Sequence, residues 1–414
     1  MSTLASQYRH LSAADADVLL HFAALPATVI DADLIAAVCQ MPWRDADHRL
    51  NQLLVLDVLE DATDPRGSAP TLCRIPPGIR PLLRQRAVAE LGETSRTQAL
   101  RRLCDWYLLA ASAAERALNP DRPRLTTRPT TQQRDVLPAP LCAAGDVVTA
   151  QQWLHIHREG LLAAVHVARA RQWHTLTWQL TDALWPLLSR WCATREWTEI
   201  ERLGQAAAQQ CGSAAGQRRL LNSGARALYE DGRPEEALDW YGRALGSARR
   251  DDDPYEVLQA LTGLGEGHRL AGRPEKAKLF LLEVSEIHKR QRNSVEVALA
   301  YVALGDVDIC LGHHQNASAF LGTALTDLIV SGEMYRVAQA KTVMARAQMH
   351  LDRAPTAHDL LVQALEELDF VPEDPWTVYG RQLLADLDHP HAGSARDAGA
   401  SPAPAVLVPA LEPW

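Results

Sequence analysis

Four stretches of this chain repeat one another at a spacing of about forty residues. They are DGRPEEALDWYGRAL from Asp231, AGRPEKAKLFLLEVS from Ala271, LGHHQNASAFLGTAL from Leu311 and DRAPTAHDLLVQAL from Asp352. Aligned on Ala237, Ala277, Ala317 and Ala357, the register does not drift. Small residues stand twelve positions before each alanine: Ala225, Gly265, Gly305 and Ala345. Four positions after come Tyr241, Leu281, Leu321 and Leu361, and seven after come Ala244, Val284, Ala324 and Ala364. The i, i+4, i+7 spacing makes one apolar face of a helix. Gly232, Gly272 and Gly312 stand where a first helix must end, and glycine takes a positive φ there without strain. Pro234 and Pro274 open a second helix, where a missing N–H is harmless. Each unit is therefore a helical hairpin with a small-residue seam. One hairpin cannot bury its apolar face, but stacked hairpins share a continuous core.

Small residue, tight turn, alanine, aromatic or leucine, then alanine: this order resembles the tetratricopeptide repeat (TPR), here with a longer period than the usual 34 and without the closing proline. The resemblance covers about 215–370, and 180–211 resembles a degenerate preceding unit with Trp197 at the alanine position. It implies an α-solenoid whose first helices line a concave wall. Residues implied to face that wall are Asn222, Arg226, Tyr229, Thr262, Glu266, Arg269, Asp306 and Arg346. Both signs of charge alternate along this row, which suits an extended peptide. Arg226, Arg269 and Arg346 would contact the partner through charge-assisted hydrogen bonds, and Glu266 and Asp306 would set its register. His268, Asp308 and Gln348 occupy a first-helix position that is usually apolar in such repeats. They are either tolerated at partly exposed sites or mark a polar cavity inside the array.

Upstream, apolar spacing predicts helices at about 12–24, 31–40 and 44–59, the last with Leu50, Leu53, Leu54 and Val58 on one face. A turn-rich loop, EDATDPRGSAP, leads to a short strand in TLCRI and a closing helix at 79–90. That order predicts a winged helix. A long amphipathic helix at 99–120 follows, then a Pro- and Thr-rich loop, and helical periodicity resumes at 149–180.

Winged helix, helical connector and repeats in this order resemble the C-terminal part of actinobacterial STAND/NB-ARC-type regulators. The phrases DWYLLAASAAERALNP and WLHIHREGLLAAV sit where that family has similar ones. Two departures bear on function. No GxxxxGK[ST] phosphate loop occurs in the sequence, nor is there room for an ATPase core before Tyr8, so a triphosphate has no backbone cradle or lysine anchor. The His-Asp pair that the family carries after the strand of its winged helix is replaced by Pro76-Pro77, which offer no side-chain hydrogen bond. The resemblance thus implies a relative that has discarded its nucleotide switch and core.

Charge weighs against nucleic acid and membrane partners. The net charge is −9, and residues 1–90 hold 8 Arg, no Lys and 11 Asp or Glu. The third helix carries Asp45, Asp47 and Asp57 against Arg44 and Arg49. No apolar run reaches the ~18 residues of a membrane span. The N-terminus lacks the basic-then-apolar build of a secretory signal. Seven scattered cysteines without a CxxC pair suit reduced thiols in the cytoplasm. His155 and His157, two apart on a helix, point to different sides, cannot chelate one metal and read as surface or half-buried residues, and His313-His314 falls in a turn. No hydrolase or metallopeptidase motif is present. The six tryptophans from Trp153 to Trp197 suit packing between helices, or else the wall of a ligand pocket.

The sequence therefore predicts an all-α protein: a winged-helix-like domain (1–92), a helical connector with the degenerate repeat (93–211), a TPR array of four repeats (212–387) and a disordered tail (388–414). The apolar end of that tail, PAVLVPALEPW, is the part suited to docking in a groove. The implied function is non-catalytic binding of a protein or peptide by a regulator or adaptor. No cofactor, nucleotide or metal is expected, and the oligomeric state is left open. Two other classes stand beside it. An enzyme using a cavity of the array would need convergent polar groups in a deep pocket. A DNA-binding transcriptional regulator would need a cationic patch.

Overall fold

The computed structural model describes residues 11–63, 71–120, 122–125, 147–368, 375–388 and Pro404. Apart from Asp388 and Pro404, the predicted tail lies outside these residues, as do most of the Pro- and Thr-rich loop and residues 64–70 of the turn-rich loop. The described chain is almost entirely helical, and none of its helices is long and apolar enough to cross a membrane. It divides into two compact units, Met1–Gly224 and Ala225–Trp414.

The first unit opens with α1 (Ala13–Ala24), α2 (Ala32–Cys39) and α3 (Trp43–Val55). Ser12 and Asp31 start α1 and α2 by accepting hydrogen bonds from backbone N–H groups, Asp31 from Leu34 at 2.7 Å. Next come β1 (Glu60–Asp61) and β2 (Cys73–Arg74), paired antiparallel, with a further antiparallel bridge between Ile30 and Cys73. β1 was not read from the sequence: two residues are too few to show alternation. The helices α4 (Arg80–Glu90) and α5 (Glu93–Leu118) follow, and α1 packs on α4 while α2 packs on α5. The long helix α5 starts six residues earlier than its apolar pattern suggests, because its first turn is polar and exposed.

The rest of this unit comprises α6 (Val147–Ile156), α7 (Arg158–Ala170), α8 (His174–Ala183), α9 (Trp185–Trp191), α10 (Thr194–Gln210) and the start of α11 (Ala214–Glu230). Half of the unit's tryptophans are core: Trp106, Trp153, Trp178 and Trp197 are buried, while Trp173, Trp185 and Trp191 are half-buried and Trp43 is exposed. His157, read as a surface or half-buried residue, is instead buried at 2% exposure, edge-on to Trp106 and 3.3 Å from the Asp31 carboxylate.

The second unit holds the end of α11 and the hairpin helices α12 (Pro234–Arg250), α13 (Pro254–Leu270), α14 (Pro274–Gln291), α15 (Ser294–Cys310), α16 (His314–Ser331), α17 (Met334–His350) and α18 (Ala354–Glu367). A last helix, α19 (Pro375–Asp388), packs on α18 and α17. From α12 onward each helix packs on the next, as a repeat array requires. Ala237, Ala277, Ala317 and Ala357 are all fully buried at the seams. A Cβ on Gly265 would meet the Leu281 side chain at 2.7 Å, and one on Gly305 would meet Leu321 at 2.7 Å, so these positions admit no side chain without a shift. The hairpin turns take positive φ at Gly272 (67°) and Gly312 (75°), while the last hairpin uses Asp352 (56°), a residue type that tolerates this region better than most.

The two helices of a hairpin differ in how they are buried. The outer helix α14 buries one stripe, Ala277, Leu281, Val284, Ser285 and His288, and leaves Leu279 in solvent. The inner helices α15 and α17 are buried on nearly every side, from Ala298 to Ile309 and from Val337 to Gln348. Polar residues on inner helices consequently sit out of water and must find partners within the array.

Candidate partner-binding site

Partners are found along one line of inner-helix side chains. Glu266 on α13 accepts from Arg269 Nε at 3.0 Å and from its Nη2 at 2.7 Å. Arg269 Nη1 also donates to Asp306 on α15, and Asp306 accepts from Arg346 on α17 through its other oxygen. Arg346 Nη2 lies 3.4 Å from Cys310 Sγ, and Tyr379 of α19 stands beside the same guanidinium. Two cations and two anions thus alternate across three successive hairpins, and the side chains of Arg269, Asp306 and Arg346 are at most 1% exposed.

Burial by itself would make both guanidinium groups easier to deprotonate. The adjacent carboxylates more than reverse this: Glu266 and Asp306 hold the Arg269 pKa above its ordinary value, and Asp306 does the same for Arg346. Both arginines stay charged at any accessible pH. The ladder is internally neutral, so an occupant of the array needs no net charge to meet it.

Two inter-hairpin bonds run parallel to the ladder. Asp308 accepts from Lys278 Nζ at 2.5 Å, and Gln348 Nε2 donates to Ser318 Oγ at 3.0 Å. In both cases an inner-helix residue bonds to the outer helix of the hairpin before it. His268, the third of these unusual positions, stacks on Phe280 with ring centroids 5.6 Å apart. Burial, then the nearby cations Arg273 and Lys276, push its pKa down, so it is neutral at physiological pH.

Of the eight residues implied to line the wall, Glu266, Arg269, Asp306 and Arg346 come together in the ladder. Tyr229 is close by in chain contact: its hydroxyl donates to the Gly267 carbonyl at 2.6 Å, tying α11 to α13. Arg226 pairs locally with Glu230 at 3.0 Å, and Thr262 is half-buried. Asn222 is buried and belongs to the first unit. The resemblance implied a row along a concave wall; the inner helices are buried on nearly every side, and four of the charges pair with one another. Three neighbours of the ladder were missed. Cys310 follows Asp306 by four residues and was findable by helical spacing. Tyr379 lies outside the repeat. So does Pro404, whose carbonyl oxygen accepts from Arg269 Nη2 at 3.2 Å.

The first unit has its own buried ionic cluster. Arg122 donates to Asp182 at 2.6 Å and lies 3.3 Å from Glu115, and Arg219 donates to the Pro123 carbonyl at 2.9 Å. These bonds hold residues 122–125 against α5, α8 and α11. Nearby, Trp197 Nε1 donates to Glu201 at 3.1 Å. Burial pushes the Glu201 carboxyl up to about 8, offset only in part by hydrogen bonds from Trp197 and Ser223. Among the described residues no group of His, Cys, Asp and Glu has the arrangement of a metal site.

No curated protein matches the chain. Among solved structures it is similar to a STAND signal-transduction ATPase with a tetratricopeptide repeat sensor from Pyrococcus horikoshii (14% identity, TM-score 0.48), covering 94% of this chain and 62% of that one. The chain therefore spans less than two thirds of that protein. It is also similar to aspartyl phosphate phosphatase F from Bacillus subtilis, with 9% identity, 72% of this chain and 81% of that one covered, and a TM-score of 0.47. A third similar structure is a Rap protein complexed with competence and sporulation factor, with 11% identity, 61% and 71% covered, and a TM-score of 0.40. Residues 216–290, which span α11 to α14, match the family model of the tetratricopeptide repeat.

Proposed function

We propose that this chain is a non-catalytic binding protein, a regulator or adaptor, whose repeat array holds an extended segment of a protein or peptide against its inner helices. The observation that carries this reading is the bond from Arg269 to the Pro404 carbonyl. A guanidinium locked in place by Glu266 and Asp306 presents a fixed donor to a peptide backbone oxygen, and such preorganised donors are how a groove grips main chain without reading its side chains. Arg226, Tyr229 and Thr262 belong to the same implied row and would contact the remainder of the segment.

In this reading residues 1–92 form a winged-helix-like domain, supported by three helices, a short antiparallel ribbon and a closing helix. The domain serves packing rather than DNA, since the exposed face of α3 carries Asp45 and Asp47. Pro76-Pro77 and the missing phosphate loop support the loss of a nucleotide switch.

A random-peptide display library panned against the full chain carrying Pro404→Asp tests this. Enriched peptides should bind the Arg269→Lys form of that chain at least tenfold more weakly, because lysine lacks the planar forked donor. Thr262→Trp, which leaves the ladder intact, should weaken them as well. A library that yields no binders, or binders indifferent to both changes, overturns the reading.

A further inference from the structure

Arg269 is a fully buried cation, and part of what it bonds is backbone from far along the chain. Pro404, which is half-buried, lies sixteen positions after Asp388, the end of α19. A chain of that length spans up to ~50 Å, so reach sets no limit.

We propose that the C-terminal segment SPAPAVLVPALEPW (401–414) is the array's own ligand, and that an outside partner of the same chemistry binds by displacing it. This rests on the reading of the array as a peptide holder and names the class of segment held: extended, proline-containing and predominantly apolar, with no charge before Glu412. Three features argue for that class. The ladder has already neutralised its charges pairwise, so a charged peptide would be desolvated with no unpaired counter-charge to meet, whereas residues 398–411 carry no charge at all. Prolines at 402, 404, 409 and 413 fix φ and favour an extended backbone that loses little entropy when bound. Proline also has no N–H, so the donor that Arg269 gives to the Pro404 carbonyl satisfies the one backbone hydrogen-bonding group of that residue.

Tethering settles the balance between the two occupants. A tether of this length would hold the segment at an effective concentration of ~mM. A weak intrinsic affinity is enough to keep the site filled, and a partner must exceed it to enter.

The test uses the full chain in two forms, wild type and Pro404→Asp, and a fluorescein-labelled synthetic peptide of sequence SPAPAVLVPALEPW followed by fluorescence anisotropy. The Pro404→Asp change places a carboxylate on the segment beside Glu266 and Asp306 and leaves the array sequence intact. The expected result is binding by the Pro404→Asp chain at least tenfold tighter than by wild type, with competition by unlabelled peptide. Equal, measurable binding by both chains overturns displacement in cis. Failure of the Pro404→Asp chain to bind this peptide, while it still binds peptides enriched from the random library, overturns the proposal and leaves the peptide-holding function standing. If that chain binds neither, both fall.

Discussion

Arg346 on α17 donates to Asp306 on α15, forty residues earlier in the chain, and neither side chain is more than 1% exposed. Arg269 reaches the same carboxylate from the other side. Asp306→Ala would remove the carboxylate that both buried guanidinium groups contact, leaving Glu266 beside Arg269 alone, and should destabilise the array by ~3–5 kcal/mol. The fourfold change Glu266→Met, Arg269→Met, Asp306→Leu, Arg346→Met should recover most of that loss, because breaking a buried ion network is worse than replacing all of it with apolar groups. Urea unfolding of the three proteins decides the point. A fourfold variant as unstable as Asp306→Ala would show that hydrogen bonding rather than charge balance dominates.

Gly305 and Gly322 lie in neighbouring helices of one hairpin and should respond in opposite directions. Gly305→Leu drives a side chain into Leu321 at the seam and should cost about 1–3 kcal/mol or more. A Cβ on Gly322 meets nothing within 4 Å, so Gly322→Ala should stabilise α16 by ~0.5–1 kcal/mol through helix propensity. Thermal melts showing both variants equal to wild type would refute the hairpin register.

Glu201 should make the first unit less stable as pH rises. Its folded pKa, about 8, stands above the ordinary 4.5, so the folded form takes up a proton that the unfolded form releases. The stability linked to it is complete below about pH 4.5 and is lost as pH climbs to about 8. Glu201→Gln should therefore change little at pH 5 and stabilise by an amount on the order of 3 kcal/mol near pH 8. Melting curves of both proteins across that range provide the check, and parallel curves would count against a neutral Glu201.

Nucleotide should leave the protein unaffected. With no phosphate loop and Pro76-Pro77 after β2, titration of Mg-ATP or Mg-ADP by calorimetry should show no affinity tighter than ~0.1 mM, roughly −5.5 kcal/mol. Tighter binding would restore a nucleotide switch to the account.

The hairpins were legible because their signal is local. The alanines of the seam and the apolar residues four and seven positions later share a helix face, and helical spacing alone states this. The ladder was legible only in its membership. Glu266, Arg269, Asp306 and Arg346 fall on the implied inner row, but their enclosure depends on what stands opposite, including Tyr379 and Pro404, which no periodicity relates to them. His157 was misread for the same reason: its partners, Asp31 and Trp106, come from distant helices. The Trp197–Glu201 bond, by contrast, joins residues one turn apart and could have been inferred from spacing.

Arrays of this kind ordinarily gain and lose whole units by recombination, since each hairpin meets only its neighbours and one copy can stand in for another. The placement of Asp306 removes that freedom here. Excising one period around it, residues 291–330 for example, would keep every seam alanine in phase yet bring the level of Arg269 against that of Arg346 with their shared carboxylate gone. The central hairpins are not interchangeable, because one aspartate serves the hairpins on both sides of it.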